Sequence, residues 1–157
     1  MNRVDLLADI RAGWAGWEAL LDGIDEAQMT RPGATGLWSV KDIVAHITWF
    51  EREMVGMLQA RALIGSDLWQ LPTDQRNAQI FEENRDRPLH EVLAEAEQVH
   101  QQFLEGVEAL AEDDLVDPHR FPGMPEDWRP WKVIAENSNE HYRDHSRDLR
   151  TWLEKLE

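Results

Sequence analysis

The 157-residue chain contains no cysteine. Disulfides, zinc–thiolate sites and a cysteine nucleophile are therefore excluded, and the absence fits a reducing compartment. No apolar run approaches the ~20 residues of a membrane span. Met1-Asn2-Arg3-Val4-Asp5 leads straight into an amphipathic pattern, so neither a signal peptide nor a membrane segment is expected. The expected location is cytoplasmic. Basic residues are scarce as well. Sixteen Lys and Arg stand against 31 Asp and Glu, a formal charge of −15. Such a chain repels a polyanion unless a local basic patch exists. Arg143, Arg147 and Arg150 are interleaved with acids and read as a solvated helix face. The expectation is a protein with no nucleic-acid partner and no membrane partner. Motifs of several enzyme classes are also missing: there is no phosphate loop, no serine elbow and no dinucleotide fingerprint.

What the chain has is helical periodicity. Leu7, Ile10, Trp14, Trp17, Leu21 and Ile24 recur three and four apart, predicting a first helix from about Val4 to Ile24. Gly13 and Gly16 weaken it, so packing must hold it. Pro32, Gly33 and Gly36 mark a loop. Ser39 is a good N-cap for a second helix, with Asp42 at its third position and Trp38 able to staple onto Ile43. Its stripe is Ile43, Ile47, Phe50, Met54 and Met57, and it ends near Ala62. Pro72-Thr73 opens a shorter helix to about Arg85. Pro88 starts a third long helix with the stripe Leu89, Val92, Ala96, Val99, Phe103, Val107 and Leu110. The prolines and glycine between Glu112 and Asp127 predict a loop. A fourth long helix is expected from about Pro130 to Leu153. With no strand of convincing length, the pattern reads as all-α: an antiparallel four-helix bundle, with an additional short helix between helices 2 and 3. The length points to one domain over residues 1–157. Eight tryptophans beside one tyrosine are expected mostly in the core or at an interface.

The last helix carries a polar gap in its apolar seam. Trp131 and Ile134 begin the seam and Leu149 and Trp152 resume it, with Ser138, His141 and His145 between. Unpaired buried polar groups cost about 1–3 kcal/mol each, so the gap needs a reason. His141 and His145 are one turn apart and can reach the same point, a spacing that suits two imidazoles on a first-row metal. His46, at the edge of the second helix's stripe, is the best third ligand. Three neutral imidazoles would leave coordination positions open, as catalytic sites do. A His-x3-His pair alone is common on solvated faces, and a metal-free reading has the histidines satisfied by one another and by Ser138. His90, His100 and His119 read as surface or loop residues, although His100 flanks a stripe and could face the bundle. Asp42 and Glu53 lie on the His46 side of their helix, where a ligand-orienting or base role competes with a cap for Asp42 and a solvated face for Glu53.

Trp38-Ser39-Val40-Lys41-Asp42-Ile43-Val44-Ala45-His46-Ile47 resembles the helix-2 motif of the DinB/YfiT-like superfamily, and Asn139-Glu140-His141-Tyr142-Arg143-Asp144-His145 resembles its second motif. Within it the ClbS/DfsB group is the closer match, on Asn77, Ile80 to Arg85, Arg87-Pro88-Leu89, Glu91-Val92-Leu93, and the stretch from Asn137 to His145 with Trp152-Leu153. The resemblance implies a four-helix bundle with an embedded metal site whose histidines fall on His46, His141 and His145. It implies a divalent metal, nickel or zinc. It spans thiol-dependent transferases, an isomerase, predicted hydrolases and a colibactin-resistance hydrolase, and no single activity unites it. The expected function is a metal-dependent enzyme acting on a small molecule, as a hydrolase or a transferase using a low-molecular-weight thiol. Asp42, Glu53, Asn77, Asn137 and Tyr142 are candidates for the pocket or for orienting the ligands. The alternative is a non-catalytic module that sequesters a small molecule. The resemblance and the spare tryptophans favour a homodimer.

Overall fold

The computed structural model describes residues 1–156. Eight α-helices follow one another: α1 (Arg3–Asp22), α2 (Glu26–Met29), α3 (Val40–Ala60), α4 (Thr73–Asn84), α5 (Leu89–Glu108), α6 (Glu112–Val116), α7 (Pro130–Glu136) and α8 (Asn139–Leu156). Short 3-10 turns cover Asp67–Gln70 and Pro118–Arg120. The long helices α1, α3, α5 and α8 form a four-helix bundle, as the periodicity predicts. Among the described residues there is no strand, only an isolated bridge between Thr35 and Trp38. Among the described residues no helix is long and apolar enough to cross a membrane.

The order of contacts gives the direction of each helix. Glu51 meets His100 and Leu58 meets Gly106, so α3 and α5 run the same way. Gly13 meets Asn139 and Tyr142, and Ile10 shares a cluster with Ile134, so α1 and α8 also run together. Arg11 pairs with Glu108, and Trp14 stacks on His100. The α1/α8 pair is therefore antiparallel to the α3/α5 pair. The connection over residues 61–88, which includes α4, is long enough for the parallel return from α3 to α5. Gly13 explains itself here. A Cβ at this position would lie 3.3 Å from the Asn139 Cβ and 3.4 Å from the Tyr142 ring, so α1 and α8 approach where the side chain is missing.

The caps follow local chemistry. Ser39 and Asp42 form a capping box at the start of α3, with the Asp42 carboxylate accepting from the Ser39 backbone N–H and hydroxyl, both at 2.9 Å. Arg61 closes α3 in the left-handed region at φ 51°.

Two expectations about elements need correction. The 112–127 segment is not a plain loop. It contains α6 and a 3-10 turn, and it buries Leu115, Phe121 and Met124 in the main core cluster. Its helical pieces are too short to show a period. The last long helix is not continuous either. It breaks at Asn137-Ser138, where the Asn137 amide donates to the Val133 carbonyl at 2.8 Å and the Ser138 hydroxyl donates to the Ile134 carbonyl at 2.6 Å. These side chains compete with the helical ladder. Ser138 is thus buried to make a bend, and its side chain bonds to no histidine.

Candidate functional site

His46 lies in the first half of α3, inside the stretch Val40–Phe50, nearly all of which is buried. His141 and His145 lie in the first half of α8, one turn apart. The antiparallel packing of α8 on α3 brings the rings together. His46 Nε2 is 3.0 Å from His141 Nε2, and His145 Nε2 is 3.0 Å from the same atom. One potential ligand atom from each ring lies within 4.8 Å of the other two. Two imidazole nitrogens held at about 2.0–2.1 Å by one ion sit roughly 3 Å apart, so the spacing suits shared coordination.

The protein offers these rings little else. His46 Nδ1, His141 Nδ1 and His145 Nδ1 are all buried without a hydrogen-bond partner. The nearest carboxylate is Asp148, 3.7 Å from His145 Nδ1. A single neutral His141 Nε2 carries either one proton or one lone pair, so it cannot satisfy both neighbours by hydrogen bonding. The donor set therefore fits a divalent cation better than it fits a closed hydrogen-bond network. Electrostatics favours the neutral form that ligation needs. Burial, reinforced by His141 and His145, pushes His46 down to about 2. Burial and then His145 push His141 down to about 3. Burial lowers His145 too, opposed by Asp148 and Asp144.

An aromatic wall surrounds the triad. Phe50 packs 4.8 Å from His141 and 4.9 Å from His46, and Trp38 lies 5.0 Å from His46. Behind Phe50 stands Trp69, at 5.4 Å, which borders a cavity of about 580 Å³ between α3, α7 and the 63–69 segment. Met54, Leu63, Ile64, Trp128 and Val133 make that cavity largely apolar, and Arg129, Lys132, Asp127 and Glu136 bring charge to it.

The five pocket candidates fall in different places, and among the described residues none hydrogen-bonds a triad imidazole. Asp42 is consumed by the capping box. Glu53 is not a solvated acid. Its Oε1 accepts from the Trp69 indole at 2.7 Å and from the Ser66 backbone N–H, fixing the wall. Asn77 keeps a buried Oδ1 without a partner. Asn137 makes the bend and also lines the cavity. Tyr142 points the other way, into the core, where its hydroxyl donates to Glu51. Burial, then the Glu51 charge, push its pKa well up, so it stays protonated.

His90 and His119 are exposed as expected, but His100 is not a surface residue. It is 5 % exposed, with Nδ1 2.8 Å from Glu51 Oε1. Sequence reasoning missed this cluster of Glu51, His100 and Tyr142. A signal for it exists in the run Ile43 to Phe50, where only His46 and Thr48 interrupt apolar residues, because a helix with so little polar face is buried on most sides and takes Glu51 with it.

The family model of the DinB superfamily matches residues 9–149. The chain belongs to the DinB superfamily. No curated protein matches it. Solved structures share the superfamily fold. DfsB, described as a sibling lethal factor precursor, has a TM-score of 0.81 at 17% identity, covering 99% of this chain and 97% of its own. The colibactin self-resistance protein ClbS, in complex with double-stranded DNA, has a TM-score of 0.79 at 15% identity over 97% and 95% of the chains. A Streptococcus pneumoniae protein has a TM-score of 0.82 at 16% identity over 98% and 91%. These likenesses agree with the ClbS/DfsB resemblance of the motifs.

The ClbS complex overturns the expectation of no nucleic-acid partner for this superfamily member. That expectation summed charge over the whole chain, whereas phosphates are met by a local surface. In α8 the exposed Arg143 and Arg150 make no ion pair within 4.0 Å among the described residues, and Arg147 meets only Asp144, at 3.7 Å. All three arginines are exposed, the solvated face that the spacing implies.

Proposed function

We propose that this DinB-superfamily protein is a metal-dependent enzyme acting on a small, largely apolar molecule, as a hydrolase or a thiol-dependent transferase. The observation that carries the reading is the convergence of three neutral Nε2 atoms from His46, His141 and His145 whose Nδ1 atoms have no partner in the protein. His46, His141 and His145 would hold a divalent ion, zinc or nickel, which would supply Lewis acidity toward a substrate oxygen or toward water or a thiol as nucleophile. The protein's own part is placement. The two helices fix the ligand spacing, Phe50 and Trp38 exclude water from the rings, and the 580 Å³ cavity behind Trp69 holds the apolar body of the substrate. Glu53 holds the Trp69 indole in place at that boundary. Elemental analysis of protein purified without a metal-affinity tag tests the reading. About one divalent ion per chain is expected, together with turnover of model esters, amides or epoxides that chelator abolishes. Full metal content in the double variant His141→Ala/His145→Ala would sink the assignment.

A second reading is supported by the unpaired Arg143 and Arg150 on α8 and by the fold shared with ClbS. It makes the α8 face a contact for duplex DNA. A salt-dependent gel shift that Arg143→Glu/Arg150→Glu removes supports it, and no shift at low salt rejects it.

A further inference from the structure

All four long helices meet at one buried polar cluster that the triad does not use. Glu51 of α3 is 1% exposed. Its Oε1 accepts from the Tyr142 hydroxyl of α8 and lies 2.8 Å from His100 Nδ1 of α5. Trp14 of α1 stacks on the His100 ring, with centroids 3.8 Å apart and planes 9° from parallel. A carboxylate only accepts, so the 2.8 Å bond places the ring proton on Nδ1. When the ring carries that one proton alone, its lone pair is on Nε2. Unlike Nδ1, Nε2 has no partner and is not enclosed, and His100 forms part of the lining of a groove of about 310 Å³ between α1 and α5. Trp14 and Leu104 give this groove an apolar side, and Arg11, Glu97 and Gln101 give it a polar rim. The groove lies on the seam opposite the triad, which sits between α3 and α8.

We propose that this groove is a second, metal-independent reactive site, in which His100 Nε2 is a nucleophile toward the acyl carbon of small aromatic esters. The arrangement is that of an imidazole oriented by a carboxylate behind it, with its other nitrogen unpartnered on a ring that lines the groove. In the step, the Nε2 lone pair forms a bond to the acyl carbon, the acyl C–O bond breaks, and the aryloxide leaves with the electron pair. The acylated ring carries a positive charge while Nδ1 keeps its proton, and the Glu51 carboxylate balances that charge. Water then adds to the acyl carbon and gives up one proton, which solvent passes to the released aryloxide, the carboxylic acid departs, and Nε2 recovers its lone pair. The net change is ester plus water to carboxylic acid plus phenol. Tyr142 is a positioning residue, since its hydroxyl holds Glu51 rather than touching the ester.

The test uses the full chain, treated with chelator, and 4-nitrophenyl acetate. Nitrophenolate release is expected to persist without metal, about tenfold faster than from the same concentration of free imidazole. His100→Gln is expected to bring it to background, and Glu51→Gln to slow it. Mass spectrometry after acid quench, with ester below one equivalent, is expected to place the acetyl group on His100 ahead of the exposed His90 and His119. Label spread evenly over the exposed histidines and lysines overturns the proposal, as does release that chelator abolishes. If His100→Gln does not fold, the labelling pattern of the native chain decides by itself.

Discussion

His46 Nε2 lies 3.0 Å from His141 Nε2, although 95 residues separate them in the chain. Both rings are neutral because burial removes the solvation of a charged imidazole. That relationship links the site to the stability of the bundle, because a metal ion held there would compete with protons for the same nitrogens.

The apo protein should lose stability in mild acid. The folded values of His46 and His141, about 2 and about 3, lie well below the 6.5 of an ordinary imidazole. Their contribution is complete above the unfolded value and is lost as pH falls toward the folded one. Each group changes stability by roughly 1.4 kcal/mol per pH unit in that window. Chelated protein should therefore be roughly 4 kcal/mol less stable at pH 5 than at pH 7.5. Urea unfolding at the two pH values measures this. The same drop in a folded His46→Asn/His141→Asn variant would assign it to other groups.

Metal should raise the melting temperature. An ion that binds only the native state at a thousand times its dissociation constant adds roughly 4 kcal/mol. A domain of this length shifts by about 2–4 °C per kcal/mol. At pH 7.5 the metal-loaded protein should melt about 5–15 °C above the chelated one. The chelated bundle should stay folded, since large apolar clusters lie on both sides of the site. Circular dichroism melts give the answer, and identical melts with metal loss verified would disconnect the site from the fold.

Tyr142→Phe should destabilise the core by about 1–3 kcal/mol. The substitution keeps the ring but removes the donor to Glu51, whose other oxygen already has no partner. A double-mutant cycle with Glu51→Gln should recover part of the loss, because the amide reduces the unpaired charge. Full additivity would show that the two side chains do not interact.

Gly65→Ala should disturb the wall between triad and cavity. A Cβ at Gly65 would stand 2.8 Å from Trp69 Cδ1 and 2.9 Å from Glu53 Oε1, so the indole or the carboxylate must move. Overpacking of this kind costs about 1–3 kcal/mol. Urea unfolding should show that loss, and 8-anilinonaphthalenesulfonate should bind more strongly at the loosened cavity. Unchanged stability and dye binding would mean that the 65–69 segment adapts freely.

Much of this protein is legible from local spacing alone. The three- and four-residue repeats determine the long helices, because the period of a helix is set by the backbone. Ser39 and Asp42 determine where α3 begins, and their hydrogen bonds reach no farther than three residues. His141 and His145 can be paired on sight because they are one turn apart in α8. Their meeting with His46 was an expectation from two stripes, and only the rotation of α3 against α8 brings the three Nε2 atoms together.

The rest belongs to tertiary structure. The break at Asn137-Ser138 comes from two side chains bonding their own turn, which composition does not distinguish from polar residues facing a site. The burial of His100 on Glu51 and Tyr142 joins residues 49 and 91 positions from Glu51 across three helices. Glu53 turned from a solvated acid into the anchor of Trp69 because the 65–69 segment folds back over α3. Local hydrogen bonds and periodicity act over a turn or two and are written in neighbouring residues. The relations that build the site depend on how helices rotate and pack as bodies, and each such contact is chosen by the whole core at once.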